Sequence, residues 1–376
     1  MRRTQFVTSE PRLWNRYARA RAALTSKRRA SSVDLLARVM SGSGEIPQKS
    51  VLRDSETERR MFIHNNNERI EFYDGKAIDH PTFTRVSSAG TDTIADRAYP
   101  RSRFTYTLHE VGVETRYGIP WNRNRDLLLS VHGGGLEKEA WEAWARDRSF
   151  RREVNSEDLI VIPSTPVFYH WLIDQLPGVL RAMSHSPNAR TVIAADAPKW
   201  MLRACEEMRI PVMQVRGKVV HANRYTSVTR EPGNPIPCDI QLLRSRAGIG
   251  PVNLVGGERL VISRRQASRY TRMELCLEEE LAKRGFRVVV PENLTLTEQI
   301  QAFSSAEIVI GASGSAMSNL IWCPENVKVV VLKHANLSPD FIWNRVGPRS
   351  ASFWQVITQS LSANDVLSIV LDLVEQ

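Results

Sequence analysis

His170 and Asp174 stand four residues apart in the stretch FYHWLIDQLPGVL, Phe168 to Leu180. Four residues is about one helical turn, so both groups point the same way if the stretch is a helix. Such a pair either satisfies itself inside a core or faces a cleft, where a carboxylate can orient an imidazole for proton transfer. A second group of residues is suited to phosphate. In ISRRQASR, Arg264, Arg265 and Arg269 follow directly on an apolar run, and guanidinium groups bind phosphate bidentately. In GASGSAMSN, Gly311 to Asn319, another apolar run passes through Ser313, Gly314, Ser315 and Ala316 into a short helical pattern. The free N–H groups at the start of such a helix favour an anion. This turn has neither the Gly-Lys-Ser/Thr ending of a nucleotide-hydrolase loop nor the spacing of a dinucleotide or nucleophile-elbow motif. Read alone, the arginines also suit a solvated turn, and the glycines a tight strand-to-helix loop.

The elements that must position these residues are legible mainly in the second half. RLVIS (259–263), FRVVV (286–290), EIVIGA (307–312) and VKVVVL (327–332) read as strands, with SFWQVI (352–357) as a further one. Thr271 with Glu274, and Thr295 with Glu298, fit capping boxes that open the intervening helices, the first of which stops at Gly285. Strands alternating with helices predict a doubly wound, Rossmann-like α/β unit, whose ligands sit beyond the carboxyl ends of the strands. In the first half, residues 126–135 read as a strand running into a turn, 190–196 as a strand and APKWMLRACEEM as a helix, with short strands at PVMQV and KVVHA. Thr165 and Pro166 suit the N-cap and first position of the helix that carries His170, and Pro177 suits its kink or end. The Pro/Gly-rich stretch 229–239 reads as a linker.

A chain of 376 residues, 42% hydrophobic and 24% charged, suits two globular domains. The formal charge is +10, but residues 1–30 hold nine Lys/Arg and one acid, which leaves only +2 for the remainder. The excess therefore belongs to one arm, and specific nucleic-acid binding is not expected. Leu13, Tyr17, Ala20 and Leu24 recur at helical spacing, so residues 1–40 read as a basic amphipathic segment for anionic membrane or a partner, with a solvated arm as the alternative. No apolar run approaches ~18 residues and no secretory h-region stands at the start, so the expected location is cytoplasmic, peripheral on the inner face of the membrane. Cys205, Cys238, Cys276 and Cys323 have no metal-ligand spacing and read as small buried residues of a reducing compartment.

Taken in order, FYHWLIDQLP, ISRRQASR, LTEQIQAFSSAEIVIGASGSAMSNLIWCPE and VKVVVL resemble glycosyltransferase family 61 over roughly Val161 to Leu332. That family includes bacterial capsular-polysaccharide enzymes and eukaryotic transferases of xylose, arabinose and N-acetylglucosamine. The resemblance implies an α/β fold of GT-B type, two Rossmann-like domains facing a cleft, and inverting transfer from a nucleotide sugar. The implied division is a basic arm (1–50), an acceptor-side domain (51–235), a nucleotide-sugar-binding domain (236–360) and a C-terminal helix (361–376). His170 and Asp174 become the catalytic pair. Arg264, Arg265, Arg269, Ser313, Gly314, Ser315 and Ala316 become the phosphate site, with Glu298 and Asn319 toward the ribose or donor sugar. Many family members have His-Gly where this chain has Ser313-Gly314, so no histidine role is carried over to this turn. No D-x-D pair ends a strand, so neither an obligatory metal nor a further cofactor is expected, the nucleotide sugar being a substrate. The expected function is sugar transfer to a glycan acceptor in bacterial surface or capsular polysaccharide synthesis. The alternatives are transfer of another group to polysaccharide, or a non-catalytic protein that binds polyanion or polysaccharide.

Overall fold

The computed structural model describes residues 69–73, 78–98, 103–121, 157–229, 237–249, 257–267, 270–334 and 352–375. The basic arm, the strand expected at 126–135 and Arg269 lie outside them. Two sheets, each of seven strands, form the described part of the molecule. The chain is thus mixed α/β with two largely parallel sheets, as the alternation of apolar runs and capped helices implies.

The first sheet contains β1 (Arg69–Tyr73), β4 (Arg103–Glu114), β5 (Pro120–Trp121), β6 (Asp158–Ile162), β7 (Arg190–Ala194), β8 (Met213–Val215) and β9 (Val219–Val228). Its order is β1-β4-β9-β6-β7-β8, with β5 paired to β4. β9, β6, β7 and β8 are parallel, and β4 joins β9 antiparallel. A helical segment from Phe168 to His185 crosses from β6 to β7, and α2 (Lys199–Glu207) crosses from β7 to β8. The regular α-helical part of the first crossing, α1, is Leu176–His185.

The second sheet is built on β10 (Glu258–Ile262), β11 (Arg287–Val289), β12 (Ala306–Ala312), β13 (Lys328–Lys333) and β14 (Ser352–Ile357), all parallel. Its order is β11-β10-β12-β13-β14. Counting from β10, this is 2-1-3-4-5, so the winding reverses between β10 and β12, the place where open α/β sheets bind ligands. The hairpin of β2 (Ile78–Ser87) and β3 (Gly90–Ala98) extends the far edge, β2 lying parallel to β14. Arg85 Nε donates to Gln355 Oε1 across that pairing at 2.9 Å.

Burial on both faces explains the uninterrupted apolar strands. Leu260, Ile262, Val309, Val329 and Val331 join one buried cluster that also takes in Ile160, Ile162 and Ile193 of the first sheet. Their neighbours Val261, Ile308, Ile310, Val330 and Leu332 face the other way, against Leu277 and Leu281 of α4 (Arg272–Lys283) and Val366 and Val370 of α6 (Ala363–Glu375). The residues between the sheets include α5 (Leu296–Ser304) and α3 (Pro237–Arg246), which begins inside the stretch read as a linker. Arg244 of α3, itself buried, donates to the carbonyls of Ile321 and Cys323 and so ties α3 to the segment that leads from β12 into β13. Cys205 and Cys323 are buried as expected, whereas Cys238 and Cys276 are only half-buried. Burial pushes the Cys205 thiol up to about 12.

Gly311, near the end of β12, is required by close approach. A Cβ there would lie 2.8 Å from Met317 Sδ and 3.0 Å from Ile262 Cβ. Gly311→Ala should therefore destabilise the protein by about 1–3 kcal/mol, the usual cost of overpacking. A urea titration checks this, and an unchanged midpoint would show that Met317 swings aside freely.

Candidate active site

The carboxyl ends of β10 and β12 lie on either side of the winding reversal, and both carry sequence-predicted residues. Ser263, Arg264 and Arg265 follow β10; Ser313, Gly314 and Ser315 follow β12. The Ser313 N–H still bonds the Leu332 carbonyl at 2.8 Å, so β12 is anchored up to that residue. A 3-10 helix, Ser315–Trp322, starts immediately after Gly314. The first N–H groups of a helix have no intrahelical acceptor. Ser315 is exposed and Gly314 and Ala316 are half-buried, so this helix start is not sealed from solvent.

The two strand ends touch. Arg264 Nη1 donates to the Ser313 carbonyl at 3.2 Å. Its Nε donates to Glu274 Oε1, and Glu274 is 6% exposed. Arg265 is arranged in the same way. Its Nε donates to Ser263 Oγ at 3.2 Å and its Nη2 to Glu278 Oε2 at 2.8 Å. Glu274 and Glu278 lie one turn apart on α4, on the stripe that also buries Leu277 and Leu281. Neighbouring Tyr270 has its phenol pushed up to about 12, by burial first and by the Glu278 carboxylate next. The sequence showed Glu274 as a cap and passed over both glutamates as arginine partners. The available signal was two acids at apolar positions of an amphipathic helix, ten and thirteen residues after two consecutive arginines.

Glu298 and Asn319 have local partners. The Glu298 carboxylate accepts the Thr295 N–H at 2.7 Å, and this bond first of all holds it below its ordinary range. Glu298 is exposed in the first turn of α5. Asn319 is fully buried, donating to Gln299 Oε1 at 2.7 Å and accepting from Trp322 Nε1 at 3.1 Å. Gln299 Nε2 in turn donates to the carbonyls of Pro291 and Leu294. Asn319 therefore braces the 3-10 helix against α5 and the loop after β11.

His170 and Asp174 are brought together at the carboxyl end of β6. Nδ1 of His170 lies 2.7 Å from Asp174 Oδ2, with the imidazole 47% exposed and the carboxylate 7%. They sit in a π-helical turn, His170–Gln175, in which the Leu176 N–H bonds the Trp171 carbonyl five residues back. The regular helix follows this turn, so Pro177 stands near the start of α1 and does not end the helix. Pro177 has no N–H for the carbonyls of the turn before it, and the irregular turn falls directly ahead of it. Thr165 is not the N-cap either. Its hydroxyl accepts from Gln175 Nε2 at 2.6 Å and donates to the Arg116 carbonyl at 3.3 Å, and the helix starts at Phe168. Trp171 is packed edge-on to Trp200, with centroids 5.4 Å apart, and fixes the roll of the turn. The hydrogen bond from Asp174 is the main cause that raises the His170 pKa above its ordinary value; burial opposes it and the carboxylate charge adds to it.

Residues 168–330 match the model of the family described as Glycosyltransferase 61. The protein is a glycosyltransferase. The matched span runs from the turn that carries His170 and Asp174 to β13, so it includes both clusters of the enzyme. A search among curated proteins finds no match. Among the described residues of the enzyme no three His, Cys, Asp or Glu side chains are grouped to hold a metal ion. Among them, too, no helix is long and apolar enough to cross a membrane.

The raised pKa of His170 links the pair to stability. A group whose pKa is higher in the folded state stabilises fully below its unfolded value, about 6.5, and loses this contribution as pH rises through the folded value. Melting temperatures of the enzyme and of Asp174→Asn should differ most below about pH 6.5 and converge at higher pH. A gap that widens with pH would show that the pair does not hold a proton on His170.

Proposed function

We propose that the enzyme transfers a sugar from a nucleotide-sugar donor to a glycan acceptor with inversion, on a GT-B-type scaffold, in the synthesis of a bacterial surface or capsular polysaccharide. The observation that carries this reading is the contact of Arg264 with Ser313 across the β10/β12 reversal. It sets a guanidinium beside the N-terminal end of the 3-10 helix, and the two together suit a diphosphate leaving group. Arg264 Nη2 makes no hydrogen bond among the described residues and remains for a ligand. Negative charge that develops on the leaving group is stabilised by donors already in position. This neutralisation makes the step independent of a metal ion.

Inversion needs one displacement, in which the acceptor oxygen attacks the anomeric carbon, loses its proton to a base and expels the nucleoside diphosphate. His170 is that base in this reading. Asp174 accepts Nδ1–H, which leaves the Nε2 lone pair for the acceptor hydroxyl and keeps the ring in one orientation. The exposures support this division of labour, because the imidazole meets solvent and the carboxylate does not. Residues 1–40 would dock the enzyme on the inner face of the cytoplasmic membrane. Salt-dependent binding to anionic vesicles, lost on deleting those residues, is the expected mark.

His170→Ala should keep nucleotide binding and lower single-turnover transfer by roughly 10² or more. In the unaltered enzyme the acid limb of the rate profile should lie above about pH 6.5, and in Asp174→Asn it should move down. Normal turnover in His170→Ala would remove the base from this pair. Uridine diphosphate should bind in the presence of chelator. Binding that appears only on adding manganese would overturn the metal-free step.

A further inference from the structure

We infer that Glu274 is a positioning residue for the donor: its buried carboxylate sets the Arg264 guanidinium across the β10/β12 crevice in the pose that receives the β-phosphate. This rests on the reading that the crevice takes a nucleoside diphosphate. Glu274 uses its two oxygens differently. Oε2 accepts the Thr271 N–H at 2.9 Å and its hydroxyl at 2.8 Å, the reciprocal arrangement that opens α4. Oε1 accepts Arg264 Nε. One carboxylate thus fastens the start of α4 and the end of β10 to each other. The Arg264 side chain is 18% exposed, and with Nε held by Glu274 and Nη1 by the Ser313 carbonyl it is restrained at two of its three nitrogens. A guanidinium restrained in this way loses little conformational freedom on meeting a phosphate.

Because the Oε1 and Oε2 functions are separable, so are their losses. Glu274→Gln retains an oxygen for the capping box, in which glutamine also serves, but presents an amide or a neutral oxygen to Arg264. Thr271→Ala does the reverse, removing the hydroxyl half of the cap while the Glu274–Arg264 pair stays. Arg264→Ala is the less informative variant, since it strands a buried carboxylate.

The experiment is calorimetric titration of the full chain and these variants with uridine diphosphate and uridine monophosphate, guanosine nucleotides serving as a second pair, alongside melting temperatures. Glu274→Gln should bind the diphosphate about tenfold more weakly, equivalent to 1.4 kcal/mol, and the monophosphate as before. Thr271→Ala should melt earlier and bind both nucleotides normally. Should Gln at 274 unfold the domain, Glu274→Asp, which keeps the charge but retracts it, should show the same selective loss. Unchanged diphosphate affinity in Glu274→Gln and Glu274→Asp overturns the inference while the donor site stands. Equal loss of diphosphate and monophosphate, in step with melting temperature in all variants, reduces Glu274 to a helix cap and also overturns it. If the unaltered chain binds no diphosphate of either base, the donor-site reading fails and the inference falls with it.

Discussion

A carboxylate on the buried face of a helix must meet a cation, and α4 buries two. Glu274 and Glu278 share their stripe with Leu277 and Leu281, so packing α4 on the second sheet carries both acids inward. Left alone, each would cost several kcal/mol of desolvation. Arg264 and Arg265 meet them from the strand end that α4 covers. The same contact that makes α4 packable therefore stations a guanidinium at the mouth of the crevice. The packing of α4 and the position of that guanidinium are coupled there through one ion pair.

The opposite wall of the crevice depends on volume. At Gly311 the chain has no side chain, which lets Met317 and Ile262 close over β12 and brings the 3-10 helix down against the strand. Buried Asn319 then holds that helix to α5 through Gln299. The free N–H groups after Gly314 are in this way backed by a fully packed element. Rigid backing of this kind lets donors stabilise charge without reorganising first.

Among the described residues that pack on the first sheet, the helix geometry is relaxed at His170–Gln175. The π-helical turn carries His170 and Asp174, while Trp171, Leu172 and Ile173 between them are buried. π-helical turns of this kind often mark functional positions. Here the turn sits just ahead of Pro177, which has no N–H to offer the preceding carbonyls. The two clusters, one at the end of β6 and one across β10 and β12, lie at carboxyl edges of two different sheets within one continuous buried core.

By itself the sequence determined the periodic elements and the chemistry of single residues. Apolar strand runs, both capping boxes and the four-residue spacing of His170 and Asp174 are local properties, set by backbone geometry within a few residues. The capping boxes at Thr271 and Thr295 appear as read. Whatever depended on long-range pairing was decided only in three dimensions. The placement of β2 and β3 beside β14, some 270 residues away in the chain, follows from sheet-edge hydrogen bonding that no local pattern encodes. The same holds for the true partners of Arg264 and Arg265, because an arginine near a strand end reads as free until the helix that packs over it is known. Thr165 shows the limit most plainly. Its type and position suit a helix cap, but a glutamine ten residues on claims its hydroxyl, and the helix starts elsewhere.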